Sequence, residues 1–301
     1  MQAAIMACDT LVAGSADVIV AGGMESMSNA PYLLGKHRGG ARIGHDVVKD
    51  SMYVDGLEDA YAPGTLMGVF AEQAARNYDF SRRDQDAYAV ESLTRANAAI
   101  ASGAFEEEIV PVQVESRTGL EKVAIDEQPA KAKLEKIPTL KPAFSKDGTV
   151  TAANSSSISD GAAALLMTRA SVANKLGLKP IARIVATAGH AHEPNNYPTA
   201  PVPAMRKVIL KAGWSVETVD LFEVNEAFAV VAMIAMRDLQ IPHEKMNVNG
   251  CACALGHPIG ASGARIVVTL LAALKRRGGK RGVAGICLGG GEALAMAVEL
   301  L

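Results

Sequence analysis

Three short stretches near the C-terminus carry side chains that could move protons or attack a carbonyl carbon. In chain order they are V-N-E-A-F at 224–228, G-H-P-I-G-A-S-G at 256–263 and I-C-L-G-G-G at 286–291. Each places one reactive side chain, Asn225, His257 or Cys287, where a strand or loop meets glycines or the start of a helix. An imidazole exchanges protons near neutral pH, and a thiol can act as an acid or as a nucleophile.

His257 lies in a loop of glycine and proline, directly before a helix predicted to start near Ser262. The positive end of a helix disfavours a cationic imidazole nearby and stabilises a thiolate or an oxyanion beside it. The pattern therefore favours a catalytic histidine over its alternative, a loop histidine that only caps the helix.

Cys287 ends a predicted strand and runs into Leu288 and three glycines, beginning with Gly289. Glycines let backbone N–H groups come close to a ligand, as an oxyanion hole requires. The alternative is a buried strand cysteine followed by a flexible turn, and the local pattern does not separate the two. No G-K-[ST] follows the glycines, so the stretch is not a phosphate loop.

Asn225 and Glu226 follow a β-rich run and are predicted to open a helix. An asparagine in that position often caps the helix, and its alternative role is to hold a water or a carbonyl oxygen. Cys251 and Cys253 form a C-x-C pair, but a tetrahedral zinc site needs a second ligand pair at a suitable spacing. The sequence therefore predicts no metal.

Composition describes an ordinary globular chain of 301 residues with a net charge of −2. The 30 basic and 32 acidic residues give no electrostatic case for binding nucleic acid or a membrane. The longest apolar run, 266–274, is far short of a bilayer span. Four cysteines without a disulfide-like framework suit a reducing compartment, which predicts a cytoplasmic protein.

Short β-rich runs alternate with alanine-rich helical stretches, which predicts an α/β fold. Strands are predicted at 17–21, 184–186, 220–223 and 283–286, and helices at 82–103 and 264–275. Ser81 and Asp84 form a candidate capping box for the first helix. The polar segment from about 25 to 146 reads as a long insertion, followed by a new α/β element from Gly148. It is either a functional insertion or a variable surface excursion.

Taken together, the order and spacing of these motifs resemble the thiolase family, over essentially the whole chain. Besides the three C-terminal stretches, the resemblance rests on V-A-G-G-M-E-S-M-S at 20–28, R-D-Q-D-A-Y-A at 83–89, G-T-V-T-A-A-N-S-S-S-I-S-D-G-A-A-A at 148–164 and N-V-N-G at 247–250. It implies a layered αβαβα fold in two halves, 1–176 with the insertion as a loop domain, and 177–301. It also implies an acetyl-CoA C-acetyltransferase that joins two acetyl-CoA, or cleaves acetoacetyl-CoA with CoA.

The resemblance assigns roles to matching positions. His257 would activate a nucleophilic cysteine, and Cys287 would be the second acid and base. Asn225 would hold a water that forms one oxyanion hole with His257, and the N–H of Gly289 would contribute to the other. Coenzyme A, as a substrate and not a bound prosthetic group, would lie against residues of the loop domain and the adjoining segments, namely Met67, Ser155, Ser156 and Ala186.

The family's acylated cysteine stands upstream of a stretch like M-Q-A-A-I-M-A at 1–7. The resemblance therefore leads us to expect that the first strands and the nucleophile loop of the N-terminal half are missing, that this stretch alone is inactive, and that the enzyme starts upstream. The complete enzyme would be a homodimer or homotetramer. The alternatives are a non-catalytic CoA-binding or interaction protein, and a condensing synthase on the same fold. Cys251 departs from the family, which generally has glycine there.

Overall fold

The computed structural model describes residues 1–117 and 119–301. The N-terminal portion ends at residue 168. It contains α1 (Gln2–Val12), β1 (Val18–Ser26), β2 (Tyr32–Leu34), β3 (Val48–Asp50), α2 (Met67–Asn77), α3 (Arg82–Ala101), β4 (Val112–Ser116), β5 (Gly119–Val123), α4 (Gln128–Lys131) and β6 (Asp160–Thr168). The remainder contains α5 (Ala170–Lys175), β7 (Ala182–Ala191), α6 (Pro201–Lys211), β8 (Leu221–Val224), α7 (Ala229–Leu239), α8 (Ala252–Leu255), α9 (Ile259–Arg277), β9 (Arg281–Cys287) and β10 (Glu292–Leu300).

Two sheets carry the framework. β7, β10, β9 and β8 form one sheet in that order, in which only the β8–β9 pair is parallel. β1 pairs antiparallel with β6 along its whole length, from Val18 opposite Thr168 to Ser26 opposite Asp160. All four predicted strands are present, which confirms the predicted α/β class.

Helix α9 lies between the two sheets and contacts β1 and β6 on one side and β8 and β9 on the other. Its apolar stripe of Ile266, Leu270 and Leu274 is fully buried in one core cluster with residues of α1. The helix ends at Gly278, whose φ of 69° is the left-handed conformation that terminates helices. The loop 256–258, which carries His257, is therefore attached to a helix that lies between the two sheets.

The insertion between the paired strands spans 27–159, and is longer at its C-terminal end than the predicted 25–146. No strand begins at Gly148 within the described residues, because the buried carboxylate of Glu72 accepts backbone N–H groups of Thr149 and Val150 that a strand partner would otherwise take. The predicted Ser81–Asp84 capping box is present at the start of α3.

Two predicted helix starts are wrong. Helix α9 begins at Ile259, with Pro258 as the preceding cap residue, so Ser262 lies inside its first turn. Proline is well suited to helix starts, because it has no N–H to leave unpaired. Helix α7 begins at Ala229, with Phe228 as the cap residue. Asn225 therefore does not cap a helix, and its amide is available for another role.

Candidate active site

A cavity of about 690 Å³ opens where the N-terminal ends of α1 and α9 meet the C-terminal end of β9. The walls include six of the residues predicted from the sequence, namely Met67, Ser155, Ser156, His257, Cys287 and Gly289. The insertion and the C-terminal portion both contribute to these walls. Residues far apart in the sequence are thus brought to one enclosed space.

His257 is anchored on one side of its ring by Ser262. Nδ1 lies 2.6 Å from the Ser262 hydroxyl oxygen, and that hydroxyl donates its single hydrogen to the carbonyl of Pro258 at 3.0 Å. The hydroxyl can therefore only accept from the ring, so Nδ1 carries the proton. This leaves Nε2 of a neutral His257 as the unprotonated, accepting nitrogen of the ring.

The environment keeps this imidazole neutral. Burial lowers the pKa of His257 to about 4, and the positive charge of Arg265 acts in the same direction. A neutral ring with an unprotonated Nε2 is the form that accepts a proton, so His257 is set up as a general base at neutral pH.

Asn225 lies directly after β8, held by a backbone hydrogen bond from its N–H to the carbonyl of Gly285 in β9. Its Nδ2 donates to Nε2 of His257 over 3.2 Å. Its Oδ1 is buried and has no hydrogen-bond partner within residues 1–117 and 119–301. An unpaired buried amide oxygen can accept a hydrogen bond from a water or substrate group.

Cys287 is the last residue of β9, a strand paired on both edges, by β8 and by β10. Burial raises the pKa of its thiol to about 12, so the sulfur remains protonated near neutral pH. Gly289 follows so close to Met67 that a side-chain carbon at this glycine would lie 2.8 Å from the methionine sulfur. The strand end thus presents a protonated thiol beside a glycine that lies close to the side chain of Met67.

The other predicted ligand contacts differ in placement. The Ser156 hydroxyl donates to the carbonyl of Ala227 at 3.0 Å, and Ser155 to that of Thr151 at 2.6 Å, so both side chains brace the wall of the cavity. Ala186 lies on β7, packed against the core next to α6, and is not among the cavity-lining residues. Nothing in the geometry supports the predicted role of Ala186.

Sequence reasoning missed two residues of the site. The sequence predicts Ser262 only as the start of the helix, but the spacing H-x-x-x-x-S, five positions from His257, could have indicated the contact. Tyr197 lines the cavity and donates its hydroxyl hydrogen to the carbonyl of Met67 at 3.1 Å. No local pattern around Tyr197 pointed to this contact, because the two residues are 130 positions apart.

Neither a metal cluster nor a membrane helix is found in the described part of the chain. No group of three or more His, Cys, Asp or Glu side chains there is arranged to hold a metal ion. No described helix is long and apolar enough to cross a membrane.

Comparison with known proteins decides the family. The model of the thiolase N-terminal domain matches residues 1–171, and that of the thiolase C-terminal domain matches 178–300. The chain belongs to the thiolase family. Among the relatives of this thiolase chain are the acetyl-CoA acetyltransferase of Allochromatium vinosum, 46% identical, and the cytosolic acetyl-CoA acetyltransferase of Mus musculus, 47% identical. Each alignment covers 99% of this chain and 76% of the relative.

Solved structures give the same result for the fold of this thiolase chain. The crystal structure of the Bacillus anthracis acetyl-CoA acetyltransferase superposes with a TM-score of 0.96 at 42% identity, and that of an Ascaris suum thiolase in complex with coenzyme A with 0.93 at 41%. Both alignments cover 100% of this chain and 76% of the other. The predicted thiolase-like fold is therefore confirmed.

Proposed function

We propose that this chain carries out thiolase chemistry as an acetyl-CoA C-acetyltransferase, joining two acetyl-CoA into acetoacetyl-CoA and CoA, or running the reverse thiolysis. The observation that carries the proposal is that a neutral His257 and a protonated Cys287 line one cavity. Acyl transfer between thiols needs one group that accepts a thiol proton and one that returns a proton to carbon. The names of the relatives favour this enzyme over a non-catalytic binding protein.

In thiolysis, a cysteine thiolate attacks the β-keto carbon of acetoacetyl-CoA, and His257 holds the proton that this thiol has lost. The carbon–sulfur bond forms while the carbon–carbon bond breaks. The released electron pair is protonated at carbon by the Cys287 thiol, which yields acetyl-CoA. The incoming CoA then gives its proton to the Cys287 thiolate and takes the acetyl group from the nucleophile. The cysteine thiolate that is released takes back the proton held by His257. Every proton moved by these two side chains is thereby restored.

In the proposed enzyme, the nucleophilic cysteine would stand upstream of the positions that match 1–7. Met1, Gln2 and Ala3 line the cavity, so the positive end of the 11-residue helix α1 faces the site. A thiol leading into α1 would therefore meet His257 and the electrostatic environment that favours a thiolate.

Developing negative charge on the two thioester oxygens would be stabilised by different groups. The unpaired Oδ1 of Asn225 fits a water that donates to one oxygen. Once His257 has taken the proton of the nucleophilic thiol, its Nε2–H would donate to the same oxygen. The backbone N–H of Gly289 fits the other. Met67, Ser155 and Ser156 would line the path of the pantetheine arm. Donors aimed at such oxygens typically contribute about 3–4 kcal/mol each.

Acyl-CoA is the proposed substrate class. We further propose a homo-oligomeric enzyme of the cytoplasm, built as two halves, 1–176 and 177–301. The support for a cytoplasmic location comes from the relatives named cytosolic in mouse and rat.

The test is thiolysis by the protein purified from its own cells, with acetoacetyl-CoA and CoA as substrates and acetyl-CoA counted by chromatography. Two acetyl-CoA should form per acetoacetyl-CoA, and only when CoA is present. His257→Ala and Cys287→Ala should each reduce the rate by at least about 100-fold. Release of free acetoacetate, or near-wild-type turnover in either variant, would contradict the proposal. Acetoacetyl-carrier protein serves as the competing substrate, and its preferential cleavage would favour a condensing synthase.

A further inference from the structure

Glu226 is a fully buried carboxylate directly after Asn225, and the proposed acid–base steps do not use it. Its oxygens accept four hydrogen bonds, from donors on three separate segments. Oε1 accepts from Tyr88 at 2.9 Å and from Asn247 at 2.8 Å. Oε2 accepts from the hydroxyl of Ser92 at 2.8 Å and from the backbone N–H of Cys253 at 3.0 Å. The donors match the four lone-pair positions of a carboxylate.

Two of these donors, Cys253 and Asn247, are linked to His257 and Asn225, which are called the catalytic pair below. Cys253 lies in α8, and the chain leaves α8 directly into Gly256 and His257. Asn247 also pairs with the backbone N–H and carbonyl of Val224, the residue before Asn225. Glu226 is thus hydrogen-bonded to Cys253, in the helix that precedes His257, and to Asn247, whose side chain holds the residue before Asn225.

The remaining two donors come from the insertion. Tyr88 and Ser92 lie one turn apart on α3, and both are buried. Burial first, and then the charge of Glu226, raise the pKa of Tyr88 well above its usual value, so its hydroxyl remains a donor. The insertion, which also supplies the wall residue Met67, is thereby tied to the catalytic pair through one carboxylate.

We propose that Glu226 is a positioning residue that fixes the distance and direction between Asn225 and His257. The inference rests on the proposed function only for its kinetic consequence. An unpaired acceptor in this buried network costs more than the average hydrogen bond, because no water replaces the lost partner. The network can therefore hold only one arrangement, and that arrangement is the one that aims Nδ2 of Asn225 at Nε2 of His257.

The replacement Glu226→Gln tests this with little change of volume. In the variant, the amide –NH₂ of the glutamine must face either Nδ2 of Asn247 or the backbone N–H of Cys253. Both of these groups are N–H donors and cannot accept a hydrogen bond from the amide. One contact is lost whichever way the amide turns. We expect kcat to fall at least about tenfold while KM for CoA stays within about twofold, since a lost hydrogen bond to a charged group is worth a factor of this size.

Glu72→Gln is the matched control. Glu72 is equally buried and accepts from the backbone N–H groups of Thr149 and Val150 and from the Thr149 hydroxyl, so its amide would meet the same conflict. It contacts neither Asn225 nor His257 within the described residues. Glu72→Gln should lower the melting temperature as Glu226→Gln does, and leave kcat of the folded protein unchanged.

The deciding readout is the ¹⁵N chemical shift of Nε2 of His257 in the ¹⁵N-histidine-labelled protein, assigned with His257→Gln. It should move in Glu226→Gln and stay in place in Glu72→Gln, whether or not the wild type shows thiolysis. Unchanged Nε2 shift and kcat in Glu226→Gln, or equal losses of kcat in both variants, would overturn the proposal. If Glu226→Gln does not fold, Tyr88→Phe removes one donor only and should move the same resonance. Absence of thiolysis in the wild type together with a moved resonance would reject the proposed function and leave the positioning role standing.

Discussion

Gly23 of β1 packs directly against the carbonyl oxygen of Gly260 in the first turn of α9, so closely that a methyl group at Gly23 would overlap that oxygen. The contact joins the strand that precedes the insertion to the helix that follows His257. Glu25, two residues further along β1, accepts a hydrogen bond from the N–H of Gly260 at 3.1 Å. The loop carrying the histidine is thus seated on the N-terminal portion of the chain.

Gly23→Ala should disturb the contact between β1 and the first turn of α9. We expect unfolding free energy to fall by about 1–3 kcal/mol, because the backbone of α9 must move away, and kcat to fall with it. Urea denaturation and thiolysis measure the two effects. Gly35→Ala, at a glycine with no atom within 4 Å of the added carbon, is the control and should change neither. An unaffected Gly23→Ala protein would mean that the contact is loose.

Ser262→Ala should weaken the hold on the histidine tautomer. Without the hydroxyl, Nδ1 of His257 loses its 2.6 Å partner, and the ring can turn or carry its proton on Nε2 instead. We expect kcat to fall about tenfold with little change in KM, a loss of roughly 1.4 kcal/mol. Ser262→Thr keeps the hydroxyl and should recover most of the rate. A fully active alanine variant would exclude the anchoring role.

The rate of thiolysis should begin to fall on the acid side only at an unusually low pH. Because the pKa of His257 is lowered from 6.5 to about 4, the ring stays unprotonated down to that pH. The rate kcat/KM should therefore hold steady from about pH 8 down to about pH 5 as far as this group is concerned. Initial rates across this range provide the measurement, and a fall centred on the ordinary value of 6.5 would show that burial does not depress the pKa.

Glu223 should make the protein less stable as pH rises. Its two carboxylate oxygens are buried without partners in the described chain, and burial raises its pKa from 4.5 to about 8. Below pH 4.5 both folded and unfolded states are protonated at this group; above it only the unfolded state ionises, so stability falls until about pH 8. Glu223→Gln should flatten this decline in urea titrations. An identical pH profile in the variant would refute the assignment.

The sequence located the side chains that the structure brings together better than it located the ends of the helices. His257 and Cys287 could be found because each stands close to glycine or proline at the end of an element, and Asn225 because it directly follows a strand. Ser262 could have been found from its spacing, but the helix start was placed too late, since Pro258 was not read as the cap. The bonds of Glu226 to Tyr88 and Ser92 could not be found at all. They join positions 138 and 134 apart, and nothing near either end of such a contact encodes the other.

The burial of Cys287 also has a chemical consequence outside catalysis. Oxidants such as peroxides attack thiolates far faster than thiols, and a sulfur whose pKa is about 12 is almost entirely thiol near neutral pH. The burial that would make Cys287 a proton donor in the proposed enzyme should therefore also slow its oxidation. We expect this protection to follow from the buried end of β9 without a separate protecting group.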